Sequence, residues 1–270
     1  MPGQNKSDFE AALTLRACEG GYSAQVPDSW LQGRATYGGL VAALLARALS
    51  RLVPPERQLR SALIDFIAPV VPGPVTLETK LLREGRTLTH AEARLVQAGA
   101  VAALCVGVYA TPRSTSLQLP GSNPPPTPAP SELARVPYVE DMTPRFAQHF
   151  EFRVPPGRAL FSSSPDARVG GYVRHAQGGP IDAAGLLGLI DAWPPAFMPS
   201  LARPAVCSSV TWMVDIMAEL PATGSQSDAY FRYEAETVAS RSGCASCEAR
   251  LWSDSGTLIA ASRQLVAEFS

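Results

Sequence analysis

The chain has 270 residues, 46% hydrophobic and 17% charged, enough to bury one large core or two modest ones. Its formal net charge of −1 lacks the basic excess or stripe expected of a nucleic-acid binder. The charges are scattered singly, so no polybasic membrane segment stands out. Residues 1–8 are polar, without the apolar stretch and small-residue cleavage site of a secretory leader. The longest apolar run, over 40–49, is interrupted by Arg47 and is too short to span a bilayer. A soluble, cytoplasmic protein without a membrane partner is expected.

In chain order, the pattern predicts strands over 13–17 and 23–26, then a helix over 38–52 stopped by Pro54 and Pro55. Strands follow over 62–67, 75–83, 88–97 and 101–109, with alternating apolar positions and Gly-containing turns. The second part repeats the order. Strands are predicted over 150–154 and 170–175, and a helix over 182–193 ends at Pro194 and Pro195. Strands follow over 208–216, 229–239, 243–253 and 257–269. Both helices are apolar all round, as in Leu40-Val41-Ala42-Ala43-Leu44-Leu45 and Leu186-Leu187-Gly188-Leu189-Ile190. A helix with no polar face is a buried one. The fold class expected is α+β, with an antiparallel sheet wrapped around a buried helix in each half.

The chain also repeats in sequence. Glu92-Ala93-Arg94-Leu95 recurs as Glu248-Ala249-Arg250-Leu251, a separation of 248 − 92 = 156 residues. At the same separation Leu77-Glu78 matches Tyr233-Glu234; earlier in each half, at a different separation, Ser61-Ala62-Leu63-Ile64 is set against Ser208-Ser209-Val210-Thr211. Between the copies runs a segment with Pro124-Pro125-Pro126, Pro128 and Pro130, which favours extended backbone and cannot donate regular hydrogen bonds. This organisation predicts a first domain over 1–111, a Pro-rich linker over 112–137 and a second domain over 138–270.

Five cysteines, an odd number, do not make a disulfide framework. Cys244 and Cys247 form a C-x-x-C without a second pair, and in a strand they point to opposite faces. They are expected to be packing residues. His90, His149 and His175 lack metal-ligand spacing, so no metal is expected.

Three stretches resemble the double-hotdog acyl-CoA thioesterases of the thioesterase II type. They are Tyr37-Gly38-Gly39-Leu40-Val41-Ala42-Ala43, then Asp65 to Val71 continued through Pro72-Gly73-Pro74 to Arg83-Glu84-Gly85-Arg86, and lastly Leu189 to Pro195 together with Leu258 to Gln264. The resemblance implies a tandem hotdog and hydrolysis of acyl-CoA to a free acid and CoA without a cofactor. It also implies a catalytic Asp, a Thr or Ser on the next strand, and a Gln near the carboxy terminus. It further suggests assembly into a homo-oligomer.

Carried over residue by residue, the Asp is Asp191, where burial would raise the pKa of a general base. The Gln is Gln264, whose amide both donates and accepts. The hydroxyl falls within Cys207-Ser208-Ser209, and Ser208 is expected because it is the repeat partner of Ser61; Cys207 would replace a good hydroxyl with a weak thiol. Gly38 and Gly39 would let a thioester approach the amino end of the first helix. Gly107 stands opposite Gln264 in the repeat, so one active centre per chain is expected. Trp193, Phe197, Met198, Trp212 and Met213 are candidate walls for an acyl slot. Arg86, with Arg83 and Arg174, is a candidate for the CoA phosphates. The alternative is a non-catalytic acyl-CoA or acyl-carrier-protein binder. A hotdog hydratase is disfavoured, since no Asp-x-Asn-Pro-x-His segment is present.

Overall fold

The computed structural model describes residues 7–221 and 225–269. The first six residues of the polar start lie outside them. Twelve strands form one antiparallel sheet. The first six are β1 (Arg16–Cys18), β2 (Gly21–Val26), β3 (Gln58–Phe66), β4 (Gly73–Glu84), β5 (Leu88–Gln97) and β6 (Ala100–Ala110). The others are β7 (Phe150–Arg153), β8 (Arg168–His175), β9 (Cys207–Ile216), β10 (Phe231–Arg241), β11 (Cys244–Trp252) and β12 (Leu258–Glu268). Their order across the sheet is β1-β2-β4-β5-β6-β3-β9-β12-β11-β10-β8-β7. Read inward from either edge, the two halves have the same order. They meet where β3 pairs β9, with Leu63 opposite Met213 at the centre of the paired residues.

Three β-bulges repeat with the halves. They fall between Leu59 and Ser61 and between Ser209 and Thr211, between Leu81 and Arg83 and between Thr237 and Ala239, and between Leu95 and Val96 and between Leu251 and Trp252. The last two pairs keep the separation of 156 residues. The first has 209 − 59 = 150. Ser61 therefore matches Thr211, and the alignment of Ser61 with Ser208 is corrected. Bulges are features of a family's geometry, so their repetition carries the internal duplication further than the residue matches do.

Two helices lie side by side on the inner face of the sheet, α2 (Gly38–Leu49) and α3 (Ala183–Ile190). All of α2 from Gly39 onward and all of α3 from Ala184 onward is buried, as their uniformly apolar sequences require. Of the strand expected over 13–17, Arg16 and Ala17 are strand and 13–15 lead into it from a helix that was not expected. Asp8–Ala12 is a short helix, α1, capped by Ser7 and turning its two buried residues, Phe9 and Ala12, to the core. Five residues with three apolar positions are too few to show a helical period.

One buried ion cluster ties the three helices. Arg47 of α2 reaches Glu10 of α1 at 2.9 Å and Asp182 at 3.0 Å. Asp182 is the N-cap of α3 and accepts from Gly185 N–H at 3.0 Å. Met213 is outward and exposed, so it is removed from the candidate slot, whereas Trp212 is buried. Cys244 is exposed and Cys247 buried, as strand alternation requires.

Among the described residues, no helix is long and apolar enough to cross a membrane. Nor does any group of three or more His, Cys, Asp or Glu there stand ready to hold a metal ion.

Candidate active site

Asp191 is the C-cap of α3, so the helix end holds its carboxylate among the core elements. Gln264 lies on the inward row of β12, between Trp212 of β9 and Cys247 of β11. Its amide nitrogen donates to Asp191 Oδ1 at 3.0 Å and to Ser209 Oγ at 2.7 Å. A carboxylate only accepts, which fixes the amide's orientation and leaves the Gln264 carbonyl free to accept a further proton.

Ser209, not Ser208, completes this group. Ser208 is exposed, and its hydroxyl turns to the Ser209 carbonyl. The reason is the bulge at Val210. Counting back by twos from the inward Trp212 gives Val210 and then Ser208. The extra residue in the bulge reverses the parity and turns Ser209 inward. Cys207 is half-buried, and burial pushes its thiol up to about 11, with Glu268 adding to the rise. A thiol held protonated is a poor nucleophile.

The amino end of α2 faces the same carboxylate. The Gly39 N–H lies near enough to Asp191 to favour its charged form. A side-chain carbon at Gly38 would stand 2.9 Å from Asp191 Oδ2 and 3.4 Å from the Phe66 ring, so only glycine leaves this approach open. At Gly39 a side-chain carbon would overlap the Tyr37 ring. The first N–H groups of a helix have no acceptor within it and carry the positive end of its dipole.

Tyr37, fully buried, stacks on Phe146 with ring centroids 4.1 Å apart, and its hydroxyl donates to the Gly188 carbonyl one turn before Asp191. It fastens the start of α2 to the end of α3. Neither Tyr37 nor Phe66 stood out as a site residue in the sequence; both sit inside the quoted motifs, with nothing to show that they meet across the halves.

Burial pushes the Asp191 carboxyl up to about 7, against the opposing pull of the Gln264 amide and the Gly39 N–H. Asp191 as a residue is half-buried, and its carboxyl is packed among the core elements. A carboxylate poised near neutrality can take a proton from water and return it.

Trp193 lies two residues on, its ring stacked parallel to Tyr233 at 5.3 Å and edge-on to Phe152 at 5.4 Å. The Tyr233 hydroxyl is pushed well up, by burial first and by nearby Asp191 second. These rings wall the site on the second-half side. Arg86 is not brought here. It lies in the β4–β5 turn, next to Arg57 and the start of β3, whereas Ser209 lies near the other end of β3. Arg83 belongs to the same hairpin. Arg174 is held by Glu151 at 2.8 Å and lies over the Tyr230 ring at 4.6 Å.

The corresponding place in the first half is filled. Leu59 stands where Ser209 does, and Gly107 where Gln264 does. A side-chain carbon at Gly107 would meet Tyr109 at 2.8 Å, Leu49 at 3.0 Å and Leu59 at 3.3 Å.

A tandem antiparallel sheet wrapped on two buried helices, with a carboxylate, an amide and a hydroxyl meeting at their junction, defines a double-hotdog protein. The family descriptions "Acyl-CoA thioesterase N-terminal domain" and "Acyl-CoA thioesterase C-terminal domain" match residues 26–112 and 123–267, and the chain belongs to that family. No curated protein matches it. Among solved structures it is similar to a conserved hot dog fold protein of unknown function from Alicyclobacillus acidocaldarius. That match has 24% identity and a TM-score of 0.85 over 97% of this chain and 98% of the other. It is also similar to an acyl-CoA thioesterase II from Mycobacterium marinum, at 18% identity and a TM-score of 0.75, over 97% of this chain and 98% of the other. The tesB protein of Mycobacterium avium subspecies paratuberculosis gives 18% identity and a TM-score of 0.78, over 97% and 99%. At these identities the likenesses establish the fold.

Proposed function

We propose that the chain hydrolyses an acyl-CoA thioester to the free carboxylic acid and CoA, with one reaction centre per chain. The observation that carries this reading is the meeting of Asp191, Gln264 and Ser209 beside the open amino end of α2. In the proposed sequence, Asp191 removes a proton from a water that the Gln264 carbonyl and the Ser209 hydroxyl orient. The oxygen attacks the thioester carbon. The negative charge moves to the carbonyl oxygen, where the Gly38 N–H at the start of α2 receives it. The Gly39 N–H favours the charged form of Asp191. As the intermediate collapses, the carbon–sulfur bond breaks and Asp191 returns its proton to the CoA sulfur. Trp193 and Tyr233 wall the acyl side. The family membership supports an acyl-CoA substrate. The proposed division into a domain over 1–111, a linker over 112–137 and a domain over 138–270 gives both parts a role, since each contributes to the site.

The test is release of free thiol from acyl-CoAs of graded chain length. Release from at least one of them is expected; a wild type that releases thiol from none overturns the reading. Two further results follow. Ser209→Ala is expected to lower kcat about a hundredfold, the scale of losing one positioned hydrogen bond in a reaction centre. Ser208→Ala should leave kcat within about twofold, since exposed substitutions have small effects. Equal losses in both would place the hydroxyl wrongly.

The second result concerns pH. Asp191 must be ionised to act as base, and its pKa is raised to about 7. Activity is therefore expected to climb as pH rises through about 7 and to fall about tenfold per unit below it. A rate that stays flat from pH 5 to 8 would count against Asp191 as the base.

A further inference from the structure

The indole of Trp193 is buried, 9% exposed, and its Nε1–H has no hydrogen-bond partner among the described residues. A buried tryptophan N–H ordinarily finds one. Trp252 does so, its Nε1 donating to the Ser122 carbonyl at 2.6 Å. Nor can the Trp193 ring turn to seek a partner. Tyr233 of β10 lies parallel to it, 5.3 Å away at an angle of 3°, and Phe152 of β7 stands edge-on at 5.4 Å. Gly171 of β8 closes the far edge, where a side-chain carbon would come within 3.1 Å of the indole. The donor is therefore held in one place, two residues beyond Asp191. A phenylalanine would pack there without leaving a polar atom unpaired.

We infer that the Trp193 N–H donates to an oxygen carried by the acyl group, within the first few carbons of the thioester, so that the chain prefers a hydroxyacyl-CoA or oxoacyl-CoA to the plain acyl-CoA of equal length. The inference deepens the proposed reaction and rests on it. Position along the chain places the oxygen. Asp191 marks where the thioester carbon stands during attack. An indole two residues on reaches the carbons next to the thioester, not the far end of a long chain.

The surroundings decide the charge on that oxygen. Burial holds the Asp191 carboxyl up at about 7 and the Tyr233 hydroxyl well above its ordinary value, and Asp191 adds to the second rise. A further anion here would be poorly solvated and repelled by Asp191 once that is ionised. A neutral oxygen meets neither obstacle, so a hydroxyl or a ketone fits and a carboxylate does not. Discrimination follows from the buried donor. A plain chain leaves it unpaired in the complex, whereas an oxygenated one pairs it.

The test compares thiol release from pairs of acyl-CoAs of equal chain length, one plain and one with a hydroxyl on the third, fourth or fifth carbon. The wild type is expected to show a kcat/KM about tenfold higher for a hydroxylated member than for its plain partner, the scale of one neutral hydrogen bond to a buried group. Trp193→Phe keeps an aromatic ring but has no N–H. Its ratio is expected to fall to within about twofold of unity, whatever happens to the two rates themselves. Equal kcat/KM within every pair overturns the inference and leaves the proposed reaction standing. So does a folded Trp193→Phe that keeps the wild-type preference. A wild type that releases thiol from no acyl-CoA overturns the reaction and the inference with it. Far-ultraviolet circular dichroism checks folding. If Trp193→Phe fails to fold, Trp193→Met, which also lacks the N–H, is read by the same criteria.

Discussion

Asp191→Asn is expected to lower kcat for thioester hydrolysis by about a thousandfold, within the range for losing a general base, with little change in KM. The substitution keeps the shape and the Gln264 contact but cannot hold a proton. The same variant is expected to be more stable than the wild type at alkaline pH. The carboxyl has a pKa of about 7 in the folded chain against an ordinary 3.8. A pKa raised on folding means that the folded chain binds the proton more tightly, so ionising Asp191 costs stability. That cost appears as pH rises from about 4 and is complete above about 7. Removing it should stabilise the protein at pH 8 by about 2 kcal/mol, allowing for partial solvent screening, and by almost nothing at pH 4. Thiol release and denaturant melts at the two pH values check both halves. Unchanged activity would remove Asp191 from the reaction, and a variant less stable at pH 8 would contradict the burial penalty.

The second large effect lies away from the reaction. Arg47→Met is expected to cost about 3–5 kcal/mol, as breaking a buried ion pair by removing one partner does. For a chain of this size that is a fall in Tm of roughly 10 °C. The side chains of Arg47 and Asp182 are each only 7% exposed, and that of Glu10 is 15% exposed. Methionine fills much of the volume but leaves two carboxylates together without their cation. Adding Asp182→Asn should recover part of the loss, because asparagine is as good an N-cap for α3 as aspartate. A single variant that melts within about 2 °C of the wild type, on the scale of about 1 kcal/mol or less, would show that the cluster holds nothing together.

Much of this molecule was legible in the sequence because periodicity and duplication are properties of short windows. The all-apolar runs in α2 and α3 announced buried helices, and the Glu-Ala-Arg-Leu repeat announced two equal hairpins. Asp191 and Gln264, singled out by the resemblance, are brought together in the structure, as are Gly38 and Gly39. The position of Ser209 was not legible. It depends on one extra residue at Val210, and an apolar valine gives no sign that it is the residue left out of the ladder. The misplaced Ser208 has this cause; the misaligned Ser61 does not, because the same bulge occurs in both halves and the shift from Ser208 to Thr211 is three residues. Arg86, expected at the CoA phosphates, lies apart from Ser209 for another reason. Its place depends on which end of the sheet a hairpin occupies, and a linear pattern does not encode that. Met213 fits an acyl wall by composition, but alternation from Trp212 sends it to the outer face.

The two halves do not supply the same parts to the centre. The first gives Gly38, Gly39 and Phe66, and the second gives Asp191, Ser209 and Gln264. Two identical chains paired the same way would have to carry every part on each, and every change would strike two centres at once. Joining the copies in one polypeptide breaks that constraint. One junction carries the proposed reaction centre, while the other serves as a fastener, with Arg47 and Asp182 clasping the helices and Leu59 and Tyr109 filling the corresponding place. A substitution at the fastener then acts on endurance and one at the centre acts on rate. Selection can tune the two separately, although both descend from the same surface.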